Sequence, residues 1–135
     1  MLYLTGIHAL NLECGLATCG DWHRSALAWK DLTLRDSEKS VFGEWGIEGA
    51  KPIPKHNGLY YVADHLRACL DLVAEGNFAL AQGMKDDYIC NDSYTPVVFE
   101  KTALLRDSAG WASVDAFMQK EYRLDWLGYK KERRL

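Results

Sequence analysis

The stretch Leu59–Glu75, LYYVADHLRACLDLVAE, decides the fold expected for this chain. Val62, Leu66 and Leu70 recur in it at four-residue steps, which is typical of one apolar helix face. Gly76 follows, where a left-handed cap commonly ends a helix. The polar side chains of the stretch share one narrow stripe, and most of the circumference is apolar. The pattern therefore predicts a helix over residues 59–75 that lies at the centre of the fold.

One histidine lies on the apolar side of this predicted helix. His65 is accompanied there by Cys69, and no partner that would make it a catalytic base is evident in the sequence. We interpret His65 as a core histidine that is satisfied by one hydrogen bond.

The first part of the chain has a different character. Short apolar stretches alternate with Gly, Asp and Ser clusters, and they predict strands at residues 1–12, 31–35 and 41–47. Asp21 is placed to cap a short helix between the first two strands. Residues 51–58, with two prolines, predict an exposed connection that ends the sheet.

The second part predicts further helices. Thr95 caps a helix with Pro96 in its first turn, which extends to about Arg106, and a last helix runs from Trp111 toward the C-terminus. In residues 76–96, Asn77 is expected to cap one short turn that Gly83 interrupts, and the middle of the segment is expected to form a loop. The fold class expected is α+β, with a small N-terminal antiparallel sheet and a C-terminal group of three to four helices. We expect one globular domain over residues 1–135, with a strand-rich part at 1–51 and a helical part at 59–135.

Size and composition limit the function classes. The chain has 135 residues, 48% of them apolar and 26% charged, and a formal net charge of -3. No apolar run reaches the roughly 20 residues of a membrane span, and no signal peptide is recognised, so a soluble cytoplasmic protein without a membrane partner is expected. A pI near 5.8 argues against a general nucleic-acid binder. The four cysteines are accordingly expected to be reduced.

Three residues have the spacing of a partial metal site. Cys14, Cys19 and His23 form C-x4-C-x3-H in a turn-rich stretch. Further ligands would be Cys69, Cys90 and His65. A second closely spaced pair is missing, so packed free thiols are favoured over zinc and no cofactor is expected.

The same stretch holds a candidate catalytic pair. Asp21 can orient the imidazole of His23, and His23 can accept a proton from a nucleophile such as Ser25. If the stretch is helical, adjacent residues point about 100° apart, and Asp21 is better used as the cap. Asp21 and His23 therefore remain candidates without an assigned reaction.

Two charged segments are candidates for binding. An acidic loop, with Lys85, Asp86, Asp87, Asn91 and Asp92, offers oxygen ligands for Mg²⁺ or Ca²⁺ but lacks the order of a calcium loop, so a solvated surface is favoured.

The second charged segment is the C-terminal tail. Residues 119–135 carry +3, whereas the rest of the chain carries -6. The basic side chains at its tip are Lys130, Lys131, Arg133 and Arg134. They can contact a phosphate backbone, but a solvated helix end is favoured.

Three segments carry a resemblance to other proteins. They are YLTGIHALNL at residues 3–12, TCGDWH at 18–23 and FALAQGMKDDYICNDSYT at 78–95. The chain resembles small bacterial proteins whose genes neighbour nucleotidyltransferase-like toxins. The resemblance implies an antitoxin or an accessory partner and assigns no catalytic residues.

Three functions follow as hypotheses. The first is a protein-binding module that neutralises a toxin by contact. Its predicted contact residues are Asp86, Asp87, Tyr88, Asp92, Tyr94, Trp126 and Tyr129. The first alternative is a small enzyme or zinc protein built on the cluster of Cys14, Cys19, Asp21 and His23. The second alternative is a nucleic-acid-binding domain that uses the basic tail.

Overall fold

Four short strands form one sheet in the computed structural model, which describes residues 1–32 and 34–135. They are β1 (Leu2–Leu4), β2 (Leu34–Asp36), β3 (Ile47–Lys51) and β4 (Tyr60–Ala63). Their order across the sheet is β2–β1–β4–β3. β1 is antiparallel to β2 but parallel to β4, and β4 is antiparallel to β3. The sheet is therefore mixed, and the prediction of an antiparallel sheet is wrong.

Helices make up most of the remaining regular structure. They are α1 (Gly6–Leu10), α2 (His65–Ala74), α3 (Phe78–Ala81), α4 (Thr95–Thr102), α5 (Trp111–Tyr122) and α6 (Leu124–Arg133). A π-helical turn covers Met84–Ile89 within the predicted loop. The strands lie mostly in the N-terminal half, and the α+β class is confirmed.

The predicted central helix is shorter than expected at its N-terminal end. Residues Tyr60–Ala63 form β4 instead, in keeping with the strand preference of aromatic and β-branched side chains. The carboxylate of Asp64 then accepts a hydrogen bond from the N–H of Arg67 and caps α2. Residues 65–73 of α2 are all buried, so its central position is confirmed.

The N-terminal predictions differ from the structure in their boundaries. The expected strand over residues 1–12 ends at Leu4, and α1 follows it directly. Residues 41–46 form turns rather than a strand, because Gly43 and Gly46 have φ angles of 56° and 76°, in the left-handed region. The strand predicted at 31–35 appears as β2, and Thr33 lies outside the described residues.

The C-terminal helices follow the predicted pattern with one break. α4 has Pro96 in its first turn as expected, but it begins at Thr95, so Thr95 is not its cap. The predicted last helix is divided at Arg123, whose φ is 52°, into α5 and α6. The division turns the ring of Trp126 into the core, where it packs edge-on against Phe99 of α4.

Candidate functional site

The segment between α1 and β2 brings the candidate pair Asp21 and His23 together. The Oδ1 atom of Asp21 lies 2.8 Å from Nδ1 of His23. The helix expected after Asp21 is reduced to a single 3-10 turn at Arg24–Ala26, so Asp21 caps no helix there. Trp22 has a φ of 60°, and this left-handed residue allows the side chains on either side of it to meet. The objection to the pair, which assumed helical geometry, is therefore wrong.

A buried asparagine holds this pair in place. Asn11, at the end of α1, donates through Nδ2 to Oδ2 of Asp21 at 3.0 Å and to the carbonyl of Ile7 at 2.9 Å. Its Oδ1 accepts the backbone N–H of His23 at 2.6 Å. The backbone N–H of Asp21 donates to the carbonyl of Leu10 at 2.8 Å. We call Asn11, Asp21 and His23 the His23 array.

The orientation of the imidazole follows from this hydrogen bonding. The carboxylate of Asp21 only accepts hydrogen bonds when ionised, so Nδ1 of His23 carries the hydrogen between them. In the neutral imidazole, Nε2 then has its lone pair free to accept a proton. The His23 side chain is 73% exposed, and no described residue bonds to its Nε2. The array thus presents an oriented base to solvent.

A cavity of about 680 Å³ opens beside the array. Its lining residues are Asn11, Leu12, Glu13, Cys14, Trp22, Arg24, Lys51 and Pro52. We call this cavity the cleft. The residues on both sides of His23 contribute to it, and the ring of Trp22 is 73% exposed. The cleft therefore combines a flat aromatic surface with cationic side chains.

The two cations of the cleft differ in their surroundings. The ammonium of Lys51 donates to the carbonyl of Glu13 at 2.8 Å and also pairs with the carboxylate of Glu48. Arg24 has no ion pair with any residue that the structure describes. Its guanidinium is consequently the cation with free donors for an anionic ligand.

A second polar cluster reaches the cleft through Cys14. The Sγ atom of Cys14 lies 3.5 Å from Oγ1 of Thr18, and that hydroxyl lies 2.7 Å from Nδ1 of His65. His65 Nε2 lies 2.7 Å from the carbonyl of Leu12. Because a carbonyl only accepts, Nε2 carries the hydrogen and Nδ1 accepts from Thr18. We call Cys14, Thr18 and His65 the Cys14 relay.

This arrangement changes the acidity of both end groups. Burial opposes ionisation of Cys14, but hydrogen bonding to His65 and Thr18 outweighs it, and the pKa of the thiol is lowered. Burial of His65 opposes the charged imidazolium and by itself lowers the pKa of His65. The interactions with Cys14 and with the Leu12 carbonyl together have the larger effect, so the pKa of His65 is raised. His65 is buried as predicted, but it bonds to two groups and contacts a thiol.

The remaining cysteines are not placed as ligands of the candidate zinc site. Cys19 and Cys90 form a disulfide between Cα atoms 5.9 Å apart, so the expectation that all four thiols are reduced is wrong. Cys69 is fully buried in α2, and burial raises the pKa of its thiol. Within residues 1–32 and 34–135, no group of three His, Cys, Asp or Glu side chains is arranged to hold a metal ion.

The acidic loop is only partly available to a partner. Asp86 and Asp92 are 81% and 85% exposed, and the ammonium of Lys85 lies 3.2 Å and 3.5 Å from their carboxylates. The hydroxyl of Tyr88 donates to the carbonyl of Leu80, and that of Tyr94 accepts from the N–H of Ala17. These two phenols therefore support the loop structure.

Two predicted contact residues lie elsewhere, in α6. Trp126 is fully buried, and its indole N–H donates to Asp115, so the prediction that it contacts a partner is wrong. Tyr129 is partly buried and stacks on Trp126. The acidic loop and these aromatic residues do not form one exposed surface.

The basic tail is partly neutralised within the chain. Lys130 pairs with Asp115 at 2.9 Å, and Arg133 pairs with Glu100 at 2.6 Å. Lys131 and Arg134 remain exposed. Two of the four basic side chains at the tip are therefore engaged in ion pairs within the chain.

Comparison of the chain with protein-family models, with curated proteins and with solved structures finds no match. In the described residues, no helix has the length and apolar character that crossing a bilayer requires.

Proposed function

We propose that the protein is a small hydrolytic enzyme in which His23 is the general base. The observation that supports this proposal is the His23 array at the cleft, in which a buried asparagine and a carboxylate fix one exposed imidazole. Orientation of a base by a carboxylate is the arrangement that general-base catalysis uses in serine hydrolases. This proposal develops the enzyme alternative, with Asp21 and His23 as its residues and without zinc.

The backbone at Trp22 supports a functional role. A left-handed conformation costs a non-glycine residue about 1–2 kcal/mol. Such conformations cluster at functional sites, where the surrounding structure holds them. At Trp22 the conformation leaves a large apolar ring 73% exposed and brings Asp21 to His23. Both consequences favour the binding of a ligand over stability.

The substrate class follows from the cleft residues. The exposed face of Trp22 is suited to stacking on a planar ring. The guanidinium of Arg24 matches the geometry of a phosphate and has free donors. We therefore propose a nucleotide-like phosphoric ester as substrate, with its base on Trp22 and its phosphate at Arg24.

The reaction needs only the oriented imidazole and water. Nε2 of His23 removes a proton from water while the water oxygen bonds to phosphorus, and the bond from phosphorus to the leaving oxygen breaks. The leaving oxygen departs as an anion on the opposite side of phosphorus and takes any proton it needs from solvent. Asp21 stabilises the imidazolium, which then releases its proton to solvent. Asn11 is a positioning residue that acts through Asp21.

The test uses the p-nitrophenyl ester of thymidine 5′-phosphate, whose hydrolysis releases coloured p-nitrophenolate. We expect turnover above the buffer rate, and we expect His23→Ala to lower kcat/KM by about 100-fold or more, since general-base catalysis contributes 10²–10⁴. His8→Ala is the matched control, because the His8 imidazole bonds to the carbonyl of Ala28 and takes no part in the His23 array. Absence of turnover, or equal turnover by His23→Ala, would contradict the proposal.

The contact hypothesis remains as a second candidate, and a different surface favours it. Leu124 is 80% exposed and shares a surface depression with Asp86 and Asp125. Glu121, Lys85 and Arg123 also line the depression, so three carboxylates and two cations surround the apolar side chain. The acidic excess fits a cationic protein surface. We propose the nucleotidyltransferase-like toxin implied by the resemblance as this partner.

Charge reversal tests this second candidate. Asp86→Lys together with Asp92→Lys should slow association with the co-expressed toxin at low salt, because opposite charges steer association. The control variant combines Asp107→Lys and Glu132→Lys, which alter net charge equally at other exposed positions. Equal association rates for both double variants would contradict this surface.

A further inference from the structure

The Cys14 relay takes no part in the reaction proposed for His23. Cys14 nevertheless lines the same cleft, and its thiol is only partly buried. The other free cysteine, Cys69, is completely buried. The fold thus brings one free thiol to an open cavity, with a hydroxyl and an imidazole in sequence behind it.

We infer that Cys14 is an oxidation site for hydroperoxides that enter the cleft, with Thr18 and His65 carrying the proton of the thiol. The geometry supports this: hydrogen bonds join Thr18 to His65 at 2.7 Å and Thr18 to the thiol at 3.5 Å. His65 is fixed by its bond to the Leu12 carbonyl, so its Nδ1 faces the relay. A nucleophile, a base and a group that orients the base are the parts of an activated thiol.

Peroxide is favoured over an acyl substrate by the groups beside the thiol. Acyl transfer needs free hydrogen-bond donors for the oxyanion that forms on the substrate. The N–H of Gly15, next to Cys14, already donates to Oε2 of Glu48 at 2.7 Å. Oxidation by a hydroperoxide needs a thiolate and a proton for the leaving oxygen, and the relay supplies both.

Oxidation of Cys14 begins with the loss of its thiol proton. The thiol proton passes through the hydroxyl of Thr18 to Nδ1 of His65, and the thiolate attacks the terminal oxygen of the hydroperoxide. A sulfur–oxygen bond forms as the oxygen–oxygen bond breaks, so sulfur loses two electrons and the peroxide gains them. The leaving oxygen takes the proton back from His65. The products are a sulfenic acid on Cys14 and an alcohol, or water when the oxidant is hydrogen peroxide.

The test is treatment with hydrogen peroxide followed by dimedone, with adducts located by mass spectrometry. We expect an adduct on Cys14 and none on Cys69, which is an internal control. Thr18→Val should slow labelling about tenfold, because a rise of one unit in the pKa of the Cys14 thiol lowers the thiolate population about tenfold. Thr18→Ser keeps the hydroxyl and should restore the labelling rate. An unlabelled Cys14, or equal rates for the valine and serine variants, would overturn the inference.

A measurement on the unaltered protein covers the case in which Thr18→Val does not fold. The rate of Cys14 alkylation by iodoacetamide is followed against pH, with Cys14→Ser as the blank. We expect a midpoint below about 8.5, the ordinary value for cysteine, and a midpoint at or above that value would overturn the inference. His23→Ala should leave the profile unchanged, so this inference and the proposed hydrolysis can fail separately.

Discussion

Arg67 and Asp71 form a buried ion pair one turn apart on α2, with 2.9 Å between Nε and Oδ1. Arg67 also donates to the carbonyls of Gly43 and Trp45 in the turns before β3. The second oxygen of Asp71 accepts the hydroxyl of Tyr3 at 2.6 Å. The pair therefore joins the central helix to both halves of the sheet region.

Replacing Arg67 should destabilise the fold strongly. Arg67→Met leaves the carboxylate of Asp71 buried without its cation, and breaking such a pair typically costs about 3–5 kcal/mol. The free energy of unfolding in urea measures the loss. Arg35→Met is the matched control, since its pair with Glu75 is partly exposed and contributes about 0–1 kcal/mol. Equal losses in the two variants would contradict a special role for the buried pair.

The disulfide is expected to stabilise the chain considerably. Cys19 and Cys90 are 71 residues apart. Closing a loop of that length reduces the entropy of the unfolded chain and so raises its free energy by about 4 kcal/mol at 25 °C. Replacing both with Ser should lower the free energy of unfolding by about that amount, whereas Cys14→Ser should have little effect. An unchanged stability after dithiothreitol would show that the bond is not formed in solution.

The disulfide also bears on the location of the protein. Structural disulfides persist in oxidising compartments and are rare in the cytosol. A cytoplasmic location stays a prediction, and the redox state of Cys19 and Cys90 in the protein isolated from its host is the relevant observation.

Local sequence signals accounted for part of the fold. The apolar spacing in α2 and Pro96 in α4 identified two helices, because both signals act within one or two turns. β4 was missed because the spacing of Val62 continues the helical pattern, although Asp64 separates the strand from the helix. The parallel pairing of β1 with β4 joins distant segments, and no local pattern specifies it.

The sequence identified some residues of the candidate site but not the contacts between them. Asp21 and His23 were identified by residue type. Their contact depends on the left-handed backbone conformation of Trp22, which non-glycine residues rarely adopt. Thr18 and His65 are 47 residues apart, and their hydrogen bond requires the tertiary fold. Gly20 is a local signal of this packing, because a Cβ at that position would lie 2.9 Å from the imidazole ring of His65.

Asp115 should make stability depend on pH in the acid range. Burial opposes its ionisation, but hydrogen bonds from Lys130 and Trp126 prevail, so the pKa of Asp115 is lowered from 3.8. A carboxyl whose pKa is lower in the folded state stabilises the fold above its unfolded pKa, and this contribution disappears as pH falls through the folded value. Asp115→Asn should therefore cost about 1–2 kcal/mol at pH 7 and less at pH 2. An equal cost at both pH values would contradict this account.

Replacing Trp22 should change the free energy of unfolding and the affinity for a nucleotide in opposite directions. Trp22→Gly removes a ring that is 73% exposed and permits a φ of 60° without strain. We expect the free energy of unfolding to rise by up to about 1 kcal/mol, since the greater freedom of glycine in the unfolded chain offsets part of the relief. Binding of thymidine 5′-phosphate, measured by calorimetry, should weaken at least tenfold because the stacking surface is lost.

Two comparison variants make the result decisive. Trp22→Phe keeps a flat ring and should retain most of the binding. Gly20→Ala should instead destabilise the fold, because its Cβ would lie 2.8 Å from the carbonyl of Leu10 at a φ of 76°. A loss of stability in Trp22→Gly would mean that the exposed ring supports the fold and that its conformation is not held for a ligand.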